Sequence, residues 1–280
     1  MTRTGAGARA PRVLVVAGLD PSGGAGLVAD LEALRAAGAT GWVVATAFTA
    51  QGPGGARGFE PASEASLLAQ LDALLEGSGP WRERPRAVKT GMLGTIGLAR
   101  ALAARLAAPP LSSLPAVVDP VLLASSGASL LDLGGLSPGE ALAPLLARAR
   151  LATPNLPELA ALTGRDVSSE AGAVAAARAL PARAVLVKGG HREGPPVDLL
   201  VERRRVTRFA GRRRPGTARG TGCRLASAIA GRLALGASLE EAVRAGKRIV
   251  ERYLDALARD PGGLGAAPRR RARAGRIPRA

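Results

Sequence analysis

Gly220-Thr221-Gly222-Cys223 stands directly before an Ala-rich stretch of helical spacing. Glycines let the backbone turn with its N–H groups converging, and a helix starting there adds partial positive charge. The place suits a phosphate or a developing negative charge. A plain glycine-rich turn before a helix is the alternative. Cys223 favours the first reading, because a thiol in the first turn of a helix tends to a lowered pKa and can serve as a base or polarising group. Read structurally, it is a small buried hydrophobe. A second cluster, Gly18-Leu19-Asp20-Pro21-Ser22-Gly23-Gly24-Ala25-Gly26, lies between the first apolar run and the first amphipathic stretch. It matches neither G-x-G-x-x-G with its later acid nor G-x-x-x-x-G-K-[ST], so a dinucleotide fold or P-loop is not expected. Its small residues would admit a flat ligand close to the backbone.

Polar residues recur where apolar runs end: Thr49 and Gln51, Lys89 and Thr90, Asp119 before Pro120, then Thr153, Asn155 and Glu158 around Pro154 and Pro157, and Lys188 before Gly189-Gly190-His191. Each alone reads as a cap or turn residue. A lysine, a carboxylate, an amide and an anion-binding helix start are together the parts phosphoryl transfer needs, for neutralising charge, placing a metal and orienting reactants. His191 suits a base or a structural role at the ligand's edge. Neither Asp119 nor Glu158 has a second carboxylate close in sequence, so a two-carboxylate hydrolase is not indicated.

Positioning such parts requires a layered scaffold. Short aliphatic runs predict strands over 13–17, 43–46, 87–89, 116–119, 151–153 and 185–188; amphipathic stretches predict helices over 24–37, 62–76, 95–107 and 140–149. Near-continuous apolar strands alternating with helices argue for a mostly parallel sheet covered on both faces, an α/β fold. Residues 198–202 and 206–209 read as a small antiparallel pair at a sheet edge, and long helices follow over 222–235 and 239–258. In such sheets ligands bind beyond the carboxyl ends of the strands, where the polar residues fall. The expected organisation is a basic flexible N-terminus over 1–11, one domain over 12–260 and an Arg-rich, disordered tail over 261–280.

The formal charge is +17. Residues 1–12 hold three arginines, 203–214 seven and 261–280 six, with no acid in any of them, so sixteen of the seventeen charges lie in two tails and one segment. The body is nearly neutral, and six aromatics are too few for a base-stacking platform. Nucleic acid is therefore not an expected partner. One cysteine rules out an internal disulfide and a cysteine-based metal cluster and suits a reducing compartment. Asp20 follows the first apolar run too soon for a signal peptide, and no run approaches the ~20 residues of a membrane span. A soluble cytoplasmic chain is expected.

The stretches VLVVAGLDPSGGAGLVAD, TAFTAQ, VKTGMLGT, VVDPVLLASSG, ATPNLPELAAL, VLVKGGH and GTGC resemble, in this order and over about residues 12–258, the hydroxymethylpyrimidine and phosphomethylpyrimidine kinases of thiamine biosynthesis. That family is a branch of the ribokinase-like superfamily. The resemblance implies a ribokinase-like three-layer sandwich, ATP and Mg2+, and transfer of the γ-phosphate to the hydroxymethyl group of a small aminopyrimidine. Bifunctional members also phosphorylate the monophosphate. It implies that Gln51 reads the pyrimidine's amino group and ring nitrogen, that Gly18, Ala25, Thr49, Met92 and Val121 line the pocket, and that Gly220, Thr221, Gly222 and Cys223 stabilise the moving phosphoryl group. Cys223 takes the place where many sugar-kinase relatives carry an aspartate base. Lys188 would contact the triphosphate, with Asn155 and Glu158 in the network of metal-bound water. A homodimer is implied too.

Several positions depart from the family pattern: Ser125 where lysine is usual, Ala128 for aspartate, Val28 for glutamine, Leu19 for Ser or Thr, and Arg219 and Arg224 for His and Thr. Loss of the lysine removes a charge that would hold the phosphate of a phosphomethyl substrate, and the two arginines offer replacement charge. A pyridoxine or pyridoxal kinase is the neighbouring reading, since those vitamers share a flat ring bearing a hydroxymethyl group. A non-catalytic ligand-binding or nucleic-acid-associated paralogue is the reading from another class.

Overall fold

The computed structural model describes residues 9–52, 55–76, 84–124, 127–190, 194–214 and 218–260. Expectations for residues 1–8, Ser125, His191 and the tail 261–280 lie outside the described residues.

In chain order the elements are β1 (Arg12–Leu19), α1 (Gly26–Ala36), β2 (Thr40–Gly52), β3 (Gly55–Pro61), α2 (Glu64–Leu75), β4 (Pro85–Thr90), β5 (Gly94–Thr95), α3 (Ile96–Ala107), β6 (Ala116–Val118), β7 (Leu131–Asp132), α4 (Pro138–Leu146), β8 (Leu151–Ala152), α5 (Leu156–Thr163), α6 (Glu170–Ala179), β9 (Ala184–Val187), β10 (Val197–Glu202), β11 (Val206–Ala210), α7 (Thr221–Ala234) and α8 (Leu239–Arg259). Nine strands form one sheet in the order β11-β10-β9-β8-β6-β4-β1-β2-β3, and β5 pairs with β7 apart from it. The six strands from β9 to β2 run parallel. Antiparallel strands close both margins, β10 and β11 at one and β3 at the other.

Strand periodicity explains the three layers, since successive side chains point to opposite faces. Val13, Val15 and Ala17 of β1 pack with Leu27 and Leu34 of α1, Leu225 and Ile229 of α7 and Val243 of α8. Leu14 and Val16 pack on the other face, with Leu67 of α2, Leu98 of α3, Leu145 of α4, Leu159 of α5 and Ala173 of α6. A strand apolar on both faces needs two covers, and three helices on one side and five on the other supply them.

The expected antiparallel pair at the edge is present as β10 and β11. Other elements differ from expectation. β2 runs on to Gly52, well past 46, and pairs with the unanticipated β3, whose sequence GARGFEP carries no β-branched residue. Helices α5 and α6 were also not anticipated. Each is short, and a side-chain cap at Asn155 and Ser169 defines its start.

Candidate active site

A cavity of about 1050 Å3 opens at the carboxyl ends of the parallel strands, and every residue to which the family resemblance gives a site role lines it; of the other polar residues at the strand ends, Lys89 and Asp119 line it too, while Thr90 and Thr153 do not. The cavity has an apolar end and a charged end.

At the apolar end, Gly18 stands next to last in β1. A Cβ there would come within 2.9 Å of the Met92 sulfur, so the glycine lets the thioether lie on the strand end. Met92 packs with Ala47, Leu130 and Val121, and its carbonyl accepts a 2.6 Å hydrogen bond from Thr46. The Thr49 hydroxyl donates to the Leu19 carbonyl at 3.0 Å, which ties β2 to the loop after β1. Gln51, half-buried near the end of β2, brings an amide to this otherwise apolar wall. Ala25 lies opposite, at the start of α1.

The charged end is built on β6, β8 and β9. An isolated parallel bridge pairs Asn155 with Lys188 beyond the last ladder bonds, so both residues are delivered side by side. The Lys188 ammonium donates to Asp119 Oδ1 at 2.9 Å and lies 3.6 Å from Glu158 Oε2. Thr153 donates to the same Asp119 oxygen at 2.9 Å. Asn155 caps α5 reciprocally with Glu158: Glu158 N donates to Asn155 Oδ1 at 2.8 Å, and Asn155 N donates to Glu158 Oε2 at 2.7 Å. Asn155 thus fixes the carboxylate that faces the cavity. Burial works against every charge here. For Asp119 it is outweighed by Lys188 and Lys89, which hold the carboxyl below its ordinary value. For Glu158 burial prevails over Lys188, and its pKa is raised. Lys188 loses by burial but gains more from Asp119 and Glu158, and its ammonium stays charged above the usual lysine range.

Helix α7 opens directly over this cluster. A Cβ on Gly222 would lie 3.1 Å from Lys188 Nζ and 3.6 Å from Asp119 Oδ2. Gly220 caps the helix in the left-handed region, with φ 69° and no side-chain cap. Among the described α-helices only α1 and α7 lack a side-chain N-cap; Ser63, Thr95, Ser137, Asn155, Ser169 and Ser238 cap the rest. Both uncapped starts border the cavity; at α1 the Gly26 N–H turns to the Cys223 thiol, and at α7 no side chain covers the first-turn N–H groups.

The expectation of a lowered thiol pKa at Cys223 is overturned. Burial pushes it up to about 11, the carboxylates of Asp30 and Asp119 add to the rise, and Lys89 and the Gly26 N–H only partly oppose it. Cys223, half-buried in the first turn of α7, therefore carries a neutral thiol at pH 7, with desolvation the largest influence on it. The replacement charge expected of Arg219 and Arg224 is also engaged elsewhere. Arg219 pairs with Asp20 at 2.6 Å, while Arg224 pairs with Glu32 at 2.7 Å and lies 3.9 Å over the Tyr253 ring.

Two groups with a structural role at the site were not expected from the sequence. Asp30 of α1, fully buried, receives the Lys89 ammonium on both oxygens at 2.7 Å and the Ser227 hydroxyl at 2.7 Å. Its signal was the spacing Leu27, Asp30, Leu34, which puts an acid on the apolar stripe of a helix. Asp20 is the other, and no local pattern marks its partner, Arg219, 199 residues away.

The phosphomethylpyrimidine kinase family profile matches residues 20–265. The hydroxymethylpyrimidine/phosphomethylpyrimidine kinase of Streptomyces coelicolor is 40% identical over 263 residues, 91% of this chain and 93% of that protein. Of solved structures, phosphomethylpyrimidine kinase from Clostridium difficile superposes with a TM-score of 0.72 at 32% identity, covering 87% of this chain and 99% of that one. The Staphylococcus aureus pyridoxal kinase in complex with pyridoxal gives 0.74 at 28% identity over 88% of each chain.

Proposed function

The chain belongs to the phosphomethylpyrimidine kinase family, and on that premise we propose that its domain over 12–260 moves the γ-phosphoryl group of ATP onto the hydroxymethyl oxygen of 4-amino-5-hydroxymethyl-2-methylpyrimidine, a step of thiamine biosynthesis. The observation that carries the reading is the meeting of an uncapped, glycine-opened helix start with the Lys188, Asp119 and Glu158 cluster in one cavity whose other end is apolar.

The acceptor oxygen forms a bond to the γ-phosphorus as the bond to the β–γ bridging oxygen breaks, and ADP leaves with that electron pair. The acceptor's proton passes late to a phosphoryl oxygen, because the loose transition state asks for little base catalysis. Lys188 neutralises the triphosphate, and the N–H groups of Gly220, Thr221, Gly222 and Cys223 stabilise the moving phosphoryl group. The neutral thiol of Cys223 forms part of the wall. Gln51 offers a donor and an acceptor to the aminopyrimidine edge, with Gly18, Ala25, Thr49, Met92 and Val121 around the ring. Among the described residues no three His, Cys, Asp or Glu side chains are grouped to hold a metal ion. Two carboxylates beside a phosphate site nevertheless fit Mg2+, which keeps several waters and takes one or two carboxylates. Glu158, oriented by Asn155, and Asp119 would hold that hydrated ion, which neutralises phosphate charge when bound.

We further read the protein as a cytoplasmic homodimer without a nucleic-acid partner. No helix among the described residues is long and apolar enough to cross a membrane. ADP release measured over hydroxymethylpyrimidine, its monophosphate and the pyridoxine vitamers tests the function. The highest kcat/KM is expected for hydroxymethylpyrimidine, and the monophosphate is expected to be poorer because Arg219 and Arg224 are engaged within the protein. Preference for pyridoxal would transfer the reading to the pyridoxal kinases, and no turnover of any acceptor would remove the kinase reading.

A further inference from the structure

Two loops meet beside the cavity, residues 20–25 after β1 and 218–220 before α7. Arg219 donates Nη2 to Asp20 Oδ2 at 2.6 Å and Nη1 to Ser22 Oγ at 3.1 Å. Asp20 organises its own loop. Its Oδ1 accepts Ser22 N at 3.0 Å and Ser22 Oγ at 2.7 Å, and its Oδ2 accepts Ala25 N at 2.9 Å. Both members of the pair are buried, so the arginine is the charge partner of the carboxylate that shapes this wall. A second tie runs alongside, as Arg224 donates Nη1 to the Gly24 carbonyl at 2.9 Å and the Tyr253 hydroxyl donates to the Arg219 carbonyl at 3.2 Å. The backbones also touch, since a Cβ on Gly220 would collide with the Gly24 carbonyl.

One loop ends in the Ala25 wall of the acceptor end, and the other begins the N–H array of the phosphate end. We propose that Arg219 is a positioning residue that locks these two loops together through Asp20, setting the distance between the acceptor hydroxyl and the phosphoryl group. This rests on the function proposed above. The chemistry is specific to arginine, because one planar fork reaches two separate acceptors, which a single ammonium does not reproduce. A displacement of about 1 Å between reacting groups costs rate steeply.

The test combines Arg219→Ala, Arg219→Lys and Asp20→Asn in kinetics with amide exchange of the ligand-free protein. In Arg219→Ala, kcat is expected to fall at least about tenfold. KM for the pyrimidine should rise, KM for ATP should stay within about twofold, and Arg219→Lys should recover part of the loss. Arg219→Ala combined with Asp20→Asn should lose little more than the worse single variant, since both act through one link. The amides of Ser22 and Ala25 should exchange at least about tenfold faster in Arg219→Ala while the β1 core stays protected. Additive losses, equal rises in both KM values, or unchanged exchange at these two amides would overturn the proposal. If the native protein does not phosphorylate hydroxymethylpyrimidine, the functional reading falls, and the exchange comparison still decides whether Arg219 locks the loops.

Discussion

Lys89, next to last in β4, and Lys188, just beyond β9, each face an aspartate at the carboxyl end of the sheet. Lys89 is sealed. Its side chain has no exposed surface, both Asp30 oxygens lie 2.7 Å away, and Ser227 of α7 completes the carboxylate's partners. Burial alone would discharge it, but Asp30 keeps its pKa above the ordinary value. Lys188 keeps 16% of its side chain exposed on the cavity side and is shared between Asp119 and Glu158. A buried pair whose geometry is complete anchors a scaffold, and one left open toward a cavity can redirect its charge to an incoming anion. The same pairing chemistry therefore serves architecture at one strand and, on the function proposed above, ligand binding at another.

Removing the sealed cation should have the largest effect. Lys89→Met leaves Asp30 buried without its charge partner, with only Ser227 still donating to it, which costs about 3–5 kcal/mol and lowers Tm by about 10 °C. Combining it with Asp30→Leu should recover most of that loss, as seen by thermal unfolding. A stable but inactive Lys89→Met would break the contrast. Lys188→Met should instead lower kcat by about 10²–10³-fold, with less than half the Tm change of Lys89→Met.

The pH dependence sharpens the contrast. Lys188 has a raised pKa, so its pairing stabilises the fold fully below the ordinary lysine value of about 10.4 and is lost only as pH climbs past the raised one. Glu158 is raised too, which for a carboxyl means that the fold binds the proton more tightly. Its titration favours the fold at low pH, and that contribution is lost as pH rises through the raised value. Activity should therefore begin to fall with decreasing pH above the usual carboxylate range while the fold, followed by circular dichroism, persists. Glu158→Gln should abolish that acid limb.

Gln51→Ala should raise KM for the pyrimidine about five- to tenfold and leave KM for ATP unchanged; equal losses for both would place Gln51 in the scaffold. The smallest effect is expected at Cys223→Ala, which keeps the backbone N–H. Turnover should stay within about threefold at pH 7, where a thiol of pKa about 11 is protonated. A kcat that climbs steadily from pH 8 toward 11, and ceases to climb in the alanine variant, would restore the thiolate as base.

What could be read from the sequence divides along the same line as the two lysines. Features expressed locally were legible: the glycines before α7, the apolar runs that became β1, β4 and β9, and the polar residues at their ends. Local signals were weak for β3, where Arg57, Gly58 and Glu60 give no alternation, and for α5, where Pro157 at a helix start reads as readily as a turn. Pairings across distance were hidden. Asp30 meets Lys89 over 59 residues and Arg219 meets Asp20 over 199, and neither spacing carries a local signature. The thiol of Cys223 was misjudged for a related reason. A helix start is visible in sequence, but the packing that desolvates it is not.

The separation of Asp20 from Arg219 also has a temporal meaning. β1, an interior strand of the sheet, and the loop that follows it are made before the turn and helix of residues 218–234 that complete the cavity. On a ribosome adding about 5–20 residues per second, roughly 10–40 s separate the two halves of the site. For that interval the nascent chain carries half of the cavity, so on the function proposed above activity begins only once α7 has been made and has packed.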